Sequence, residues 1–121
     1  MSTNDRYSRQ RDIVPSERLD NCAATIIGVG AVGRQVALQL TAMGIPWLQL
    51  IDFDTVEESN IASQGYCEAD LGKAKVDATA EACWRINARL AINIDNSRFK
   101  RSSDIGDAIF CCVDSIETRR L

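Results

Sequence analysis

The sequence contains no histidine, and this absence excludes the most common catalytic and metal-binding arrangements within the chain. Without imidazole, these residues can form neither a Ser-His-Asp nor a Cys-His catalytic pair, and no metal ion can be held by histidine. The five cysteines include no C-x-x-C pair, so zinc is not expected within these residues. Their odd number and irregular spacing also argue against a disulfide framework and indicate a reducing, cytoplasmic location.

Long apolar runs, a signal sequence and a strong excess of one charge are also lacking. The N-terminal segment is polar, and no stretch approaches the roughly 20 apolar residues of a membrane span, so no membrane association is expected. With 14 Lys and Arg against 17 Asp and Glu, the net charge of −3 makes a nucleic-acid partner unlikely on electrostatic grounds. What remains is an ordinary globular composition, 45% hydrophobic, over 121 residues, which is one domain at most.

Apolar patterning predicts strands that alternate with helices. Four short apolar runs predict strands, over residues 23–28, 47–52, 91–95 and 108–113. Apolar residues at helical spacing, Val32 among them, predict helices over residues 31–43 and about 72–90, with Gly44 ending the first. The residues between these elements are interpreted as a long polar loop over 53–70 and a short crossover helix over 102–107.

This order of elements predicts an α/β fold, a Rossmann-like doubly wound parallel sheet with strand order 3-2-1-4. Residues 1–20 are interpreted as an N-terminal arm or helix, and residues 21–121 as a nucleotide-binding half-domain that is incomplete at its C-terminal side. In such sheets ligands bind at the carboxyl ends of the strands.

A glycine-rich motif lies directly between the first predicted strand and the first predicted helix. Residues 28–33 read G-V-G-A-V-G. In this context Gly28 permits a tight turn, Gly30 lets the backbone approach a phosphate, and Gly33 lets the helix pack close to the strand. The helix N-terminus then offers free N–H groups to an anion. Asp52 ends the second predicted strand, where an acid hydrogen-bonds ribose. These residues predict an adenosine-containing nucleotide without separating ATP from NAD(H).

Cations and a spare carboxylate would favour ATP, because a triphosphate that is cleaved needs Mg²⁺ and Lys or Arg at its leaving group. Lys75 lies at the start of the second predicted helix, and Asp114 directly follows the fourth strand. Each alone has an ordinary explanation, a solvated lysine or a turn-forming aspartate. Tyr66 is interpreted as a core or loop-anchoring aromatic residue.

Several segments in order resemble the ThiF/MoeB/ubiquitin-activating-enzyme superfamily, and they cover essentially the whole chain. The segments are R-Y-S-R-Q at 6–10, the glycine motif, L-I-D-F-D-T-V at 50–56, Asn60 and Gln64, the stretch from Gly72 to Val76, R-I-N at 85–87, and C-V-D-S at 112–115 with Thr118 and Arg119. The resemblance implies an adenylyltransferase that binds ATP and Mg²⁺ and activates the C-terminal carboxylate of a small β-grasp, ubiquitin-like protein ending in Gly-Gly.

The resemblance also implies a set of site residues. Arg9, Lys75 and Asp114 would be catalytic, Asp114 would engage Mg²⁺, and Arg9 would act in trans across a homodimer. The nucleotide would be held by Gly28, Gly30, Ala31, Gly33, Asp52, Phe53, Asp54, Asn60, Gln64 and Lys75. A carboxylate nucleophile, with a pKa of about 3.3–3.7, is already ionised at neutral pH, so the chemistry needs no histidine base.

The chain departs from the family pattern at Ser63, where the family usually has an arginine that contacts the terminal phosphates. Lys73 is one candidate to compensate for that missing charge, and the alternative is a divergent or weakly active member of the family. The sequence leaves two other functions open: a non-catalytic subunit of a heterodimeric activating enzyme, and an NAD(H)-binding Rossmann module. The carrier protein's identity and the product chemistry are left open by the sequence.

Overall fold

The computed structural model describes residues 22–97 and 107–113, and all structural statements below concern these residues. They contain one four-stranded parallel sheet in the order β3-β2-β1-β4. The strands are β1 (Ala23–Ile27), β2 (Trp47–Ile51), β3 (Ala91–Asp95) and β4 (Ala108–Cys111). The predicted strand order and parallel arrangement are confirmed.

Three α-helices connect or flank these strands: α1 (Ala31–Met43), α2 (Glu58–Gln64) and α3 (Lys75–Ile86). The bounds predicted for α1 are confirmed, and Gly44 ends it with a left-handed φ of 99°. The prediction of a plain loop over residues 53–70 is wrong, because this segment contains α2 and a 3-10 turn at Glu68–Asp70. None of the residues of α2 is buried, so the helix has no apolar face that a sequence pattern could display.

The core lies between the sheet and the two crossover helices. Its fully buried side chains include Ile26 of β1, Leu48 and Leu50 of β2, and Val76 of α3. On the opposite face of the sheet, Thr25 donates a hydrogen bond of 2.8 Å to the side-chain oxygen of Gln49, so these two buried oxygens are paired across the β1–β2 pair.

The buried face of α1 agrees only in part with its apolar spacing, since Val36 and Leu40 pack against the core and Val32 does not. Gly33, Arg34, Ala37 and Thr41 are the buried residues of this helix, whereas Val32 is 64% exposed. Val32 belongs to the first helical turn, and the small residues at positions 33 and 37 let the helix axis approach the sheet closely.

Several expectations lie outside the described residues: the N-terminal arm, most of the short crossover helix, Arg9 and Asp114. Within the described ranges, none of the helices is long and apolar enough to cross a membrane.

Candidate functional site

The glycine motif forms a tight connection between β1 and α1, and packing dictates its two outer glycines. Gly28 has φ +91°, and a Cβ there would lie 2.8 Å from Cγ1 of Val113. A Cβ on Gly33 would lie 1.7 Å from the carbonyl oxygen of Gly28, which no side chain tolerates. The predicted roles of Gly28 in the turn and of Gly33 in close helix packing therefore have a direct steric basis.

Gly30 has no comparable packing reason. Its φ is −74°, and a Cβ there would make only ordinary contacts, at 3.5 Å and more, with the side chain of Gln64. Gly30 is also the N-cap of α1, where no side chain caps the helix and no acidic residue lies in the first turn. The N–H groups at this helix end are thus left for an anion.

Asp52 connects the glycine motif to the segment that follows β2. One of its carboxylate oxygens accepts a hydrogen bond of 2.8 Å from the backbone N–H of Val29, and the other accepts one of 2.8 Å from the N–H of Asp54. Asp52, which is predicted to bind the ribose, therefore also has a structural role, because it holds two loops together at the carboxyl edge of the sheet. Each oxygen retains a further lone pair for a ligand hydroxyl.

Lys75, the first residue of α3, is buried rather than solvated. Its side chain is 8% exposed, and Nζ lies 3.7 Å from Oδ2 of Asp54. The backbone fixes this position, because the N–H of Lys75 donates to the carbonyl of Asp54 at 2.9 Å and the N–H of Val56 donates to the carbonyl of Lys73 at 2.8 Å. A buried ammonium group with one distant carboxylate is suited to a polyanionic ligand.

Lys73 lies in a different environment. Its Nζ donates to Oε2 of Glu81 at 2.7 Å, and both side chains are about 40% exposed (39% and 42%). The hydrogen bond to Glu81 raises the pKa of Lys73. In this conformation Lys73 is neutralised by Glu81 of the helix that follows it, which counts against Lys73 as the cation that compensates for Ser63.

The helix α2 presents the other predicted nucleotide contacts. Oδ1 of Asn60 accepts a hydrogen bond from the N–H of Glu57 and so caps the helix. Gln64 reaches the glycine motif beside Gly30, and its buried Oε1 has no hydrogen-bond partner among the described residues. The Ser63 hydroxyl donates to the carbonyl of Ser59 at 2.6 Å, so it is occupied within the helix.

The buried side chains of Arg34 and Tyr66 contact the glycine motif and the end of α2. The guanidinium of Arg34 lies 4.7 Å from the centre of the Tyr66 ring, and its Nε donates to the carbonyl of Gly65 at 3.1 Å. The Tyr66 hydroxyl donates to the carbonyl of Val29 and lies 3.1 Å from the hydroxyl of Thr79. Burial raises the pKa of Tyr66 to about 12.

Sequence reasoning missed Arg34, because an arginine within a helix ordinarily projects into solvent. The one signal in the sequence was the aromatic side chain of Tyr66 in a polar segment, and its interpretation as a core or loop-anchoring residue agrees with its exposure of only 2%.

The remaining predicted residues lie at the rim or outside the described ranges. Ala31, within the glycine motif, and Phe53, directly after Asp52, are exposed, Phe53 by 52%. Arg9 and Asp114 are not among the described residues. Within residues 22–97 and 107–113, no group of three or more His, Cys, Asp or Glu residues could hold a metal ion. The uncapped α1 terminus, Gly30 and buried Lys75 fit a nucleotide phosphate, whereas the predicted Mg²⁺ ligand lies outside the described ranges.

Comparisons with known proteins give a consistent family. The sequence profile of the ThiF family matches residues 7–121. The chain is 35% identical to the adenylyltransferase and sulfurtransferase MOCS3 of Drosophila willistoni, over 98% of this chain and 29% of that protein. It is 30% identical to the molybdopterin-synthase adenylyltransferase of Escherichia coli strain K12, over 94% of this chain and 50% of that protein.

The crystal structure of E. coli MccB with ATP has the same fold, with a TM-score of 0.85 over 94% of this chain and 38% of that one. At 23% identity this likeness shows the fold alone. The chain spans half or less of the length of these three proteins.

Proposed function

Because this chain belongs to the ThiF family, we propose that the protein carrying it adenylates the C-terminal carboxylate of a small ubiquitin-like or sulfur-carrier protein. The observation that carries the proposal is Lys75, a buried cation fixed beside the carboxyl edge of the sheet. A dinucleotide has little need of such a charge, whereas a triphosphate that loses pyrophosphate does. The relatives named adenylyltransferases support the same reaction.

The proposed reaction joins two polyanions and needs no general base. One oxygen of the ionised carboxylate attacks the α-phosphorus of ATP, the bond from that phosphorus to the bridging oxygen breaks, and pyrophosphate leaves with the electron pair. The protein's task is to hold both reactants in line and to stabilise the charge that develops on the leaving group.

Each site residue has a role in this proposal. The α1 terminus at Gly30 and Ala31 would receive phosphate oxygens, Asp52 would hold the ribose, and Phe53 would border the adenine. Lys75 would stabilise the leaving pyrophosphate. Four further polar residues would complete the site around the phosphates: Asp54, Asn60, Gln64 and Asp114.

Magnesium is part of the proposal through Asp114. Asp114 would hold Mg²⁺, and the ion would supply positive charge that neutralises the triphosphate. Arg9 would reach the site of the second subunit in a homodimer.

The proposal is tested by ATP–pyrophosphate exchange with the intact protein. We expect exchange that requires both Mg²⁺ and a small carrier protein with a C-terminal Gly-Gly, and no exchange with the same carrier lacking its two glycines. A catalytically silent subunit of a heterodimer would give no exchange by itself. Tight binding of NADH without binding of ATP·Mg²⁺ in calorimetry would instead establish the dinucleotide module.

A further inference from the structure

Arg34 carries a buried positive charge that no carboxylate neutralises within the described ranges. The residue is 7% exposed, and the ion pairs found there are Lys73–Glu81 and Lys75–Asp54. Its Nε is bound to the carbonyl of Gly65, and its buried Nη1 has no hydrogen-bond partner in the part of the chain that the structure describes. A buried guanidinium with an unused donor is costly unless an anion or a ligand acceptor completes it.

Arg34 lies near the part of the site that is proposed to bind the phosphates. Its backbone N–H donates to the carbonyl of Gly30 at 3.0 Å, in the first turn of α1. Its guanidinium lies against Gly65, which follows Gln64, and Gln64 lies beside Gly30. The uncapped helix terminus, an unused buried donor on Arg34 and an unused buried acceptor on Gln64 therefore occur together around the glycine motif.

The other side chains nearby do not supply this charge. Lys73 is bound to Glu81, and Ser63 is neutral and donates to its own helix. The side chain of Arg34, by contrast, reaches Gly65, which lies two residues after Ser63 in the sequence. The tyrosine ring under the guanidinium provides a partner that stabilises the cation without cancelling its charge.

We propose that Arg34 provides the positive charge that is missing at Ser63, and that it thereby gives the site its preference for a nucleoside triphosphate over a monophosphate. This inference rests on the proposed function, since it concerns the nucleotide of the same site. Arg34 acts on the phosphates beyond the first, so its removal affects ATP and leaves AMP nearly untouched.

The test compares binding of ATP·Mg²⁺ and AMP to the intact protein by calorimetry. We expect Arg34→Gln to weaken ATP by about tenfold or more and AMP by less than about threefold. The double variant Arg34→Gln/Ser63→Arg, which returns a cation to the adjacent helix, should recover most of the lost ATP affinity. Arg34→Met keeps packing against Tyr66 without the charge and should repeat the loss if Arg34→Gln folds poorly.

Two results overturn the inference. Equal weakening of ATP and AMP in a folded variant would assign Arg34 a structural role, and so would a failure of Ser63→Arg to restore ATP binding. If the unaltered protein prefers ATP and the Arg34 variants keep that preference, the inference fails and the proposed function stands. If the unaltered protein does not bind ATP, the proposed function fails and this inference fails with it.

Discussion

Lys73 and Lys75 are neighbours in sequence, and their side chains occupy opposite environments. Lys75 is buried beside Asp54, whereas Lys73 is exposed and paired with Glu81. An exposed ion pair adds little to stability, because solvent screens it, and it leaves no charge for a ligand. The two lysines therefore form a matched pair of positions, alike in chemistry and different in access to the site.

We expect Lys75→Met to lower kcat/KM for ATP in the exchange reaction by about 100-fold, because a buried cation at the leaving group is removed. Lys73→Met should stay within about threefold of the unaltered protein. Circular dichroism of both variants establishes that they are folded. Equal losses in the two variants would contradict the role given to Lys75.

Tyr66 makes stability depend on pH in the alkaline range. Burial raises the pKa of its hydroxyl to about 12, whereas a tyrosine in the unfolded chain has a pKa of about 10. Between these values the unfolded chain loses this proton first, so stability that is complete below pH 10 is lost as the pH rises towards 12.

The variant Tyr66→Phe tests this dependence. It should be less stable at neutral pH by about 1–3 kcal/mol, because hydrogen bonds to Val29 and Thr79 are lost. The difference in unfolding free energy between the two proteins should be constant below pH 9 and should shrink above pH 10. Urea titrations over this range measure it, and a constant difference up to pH 11 would refute the buried-hydroxyl explanation.

The burial of individual side chains was the property that could be predicted least well from the sequence. Lysine at the start of a helix is ordinarily solvated, and arginine in a helix is ordinarily exposed. Lys75 and Arg34 are buried because the segments around Asp54 and Gly65 fold over them, and these contacts depend on tertiary structure.

At the scale of elements, local patterns were sufficient for the strands and for α1, whereas the helix predicted over about 72–90 is shorter in the structure, Lys75–Ile86. The apolar runs of β1 and β2 and the glycine at position 44 predicted these elements to within one or two residues. The helix α2 was not predicted, because the Asn60 cap and the contacts at its C-terminal end, which stabilise it, produce no apolar period.

The glycine motif allows packing and ligand binding to be separated by substitution. Gly33→Ala should destabilise the fold by about 2 kcal/mol or more, because its Cβ would lie 1.7 Å from the Gly28 carbonyl oxygen. Gly30→Ala should change stability by less than about 1 kcal/mol and should abolish most nucleotide binding, because its Cβ would meet a phosphate. Thermal unfolding and ATP calorimetry give the two readouts. Retained ATP affinity in Gly30→Ala would show that nothing approaches this position closely.

At the scale of the whole molecule, the proposal that Arg9 completes the partner's site can be tested by mixing subunits. Arg9→Ala and Asp114→Ala should each be inactive alone in exchange. If each site combines Asp114 of one subunit with Arg9 of the other, re-association of an equal mixture should restore about a quarter of the activity. A mixture that re-associates, as followed with differently tagged subunits, and remains inactive would show that both residues act within one chain.

The strand order has a consequence for the way the sheet is completed. Of the four described strands, β1 is synthesised first, and it lies inside the sheet between β2 and β4. Its partner β2 follows after one helix, but Ala24 on its other side pairs with Ala108, 84 positions later. While the ribosome adds the intervening residues, one edge of β1 has no strand to pair with. Among the described strands, β1 is therefore made first but has both edges paired only when β4 is in place, and the glycine motif that follows β1 is held from both sides only then.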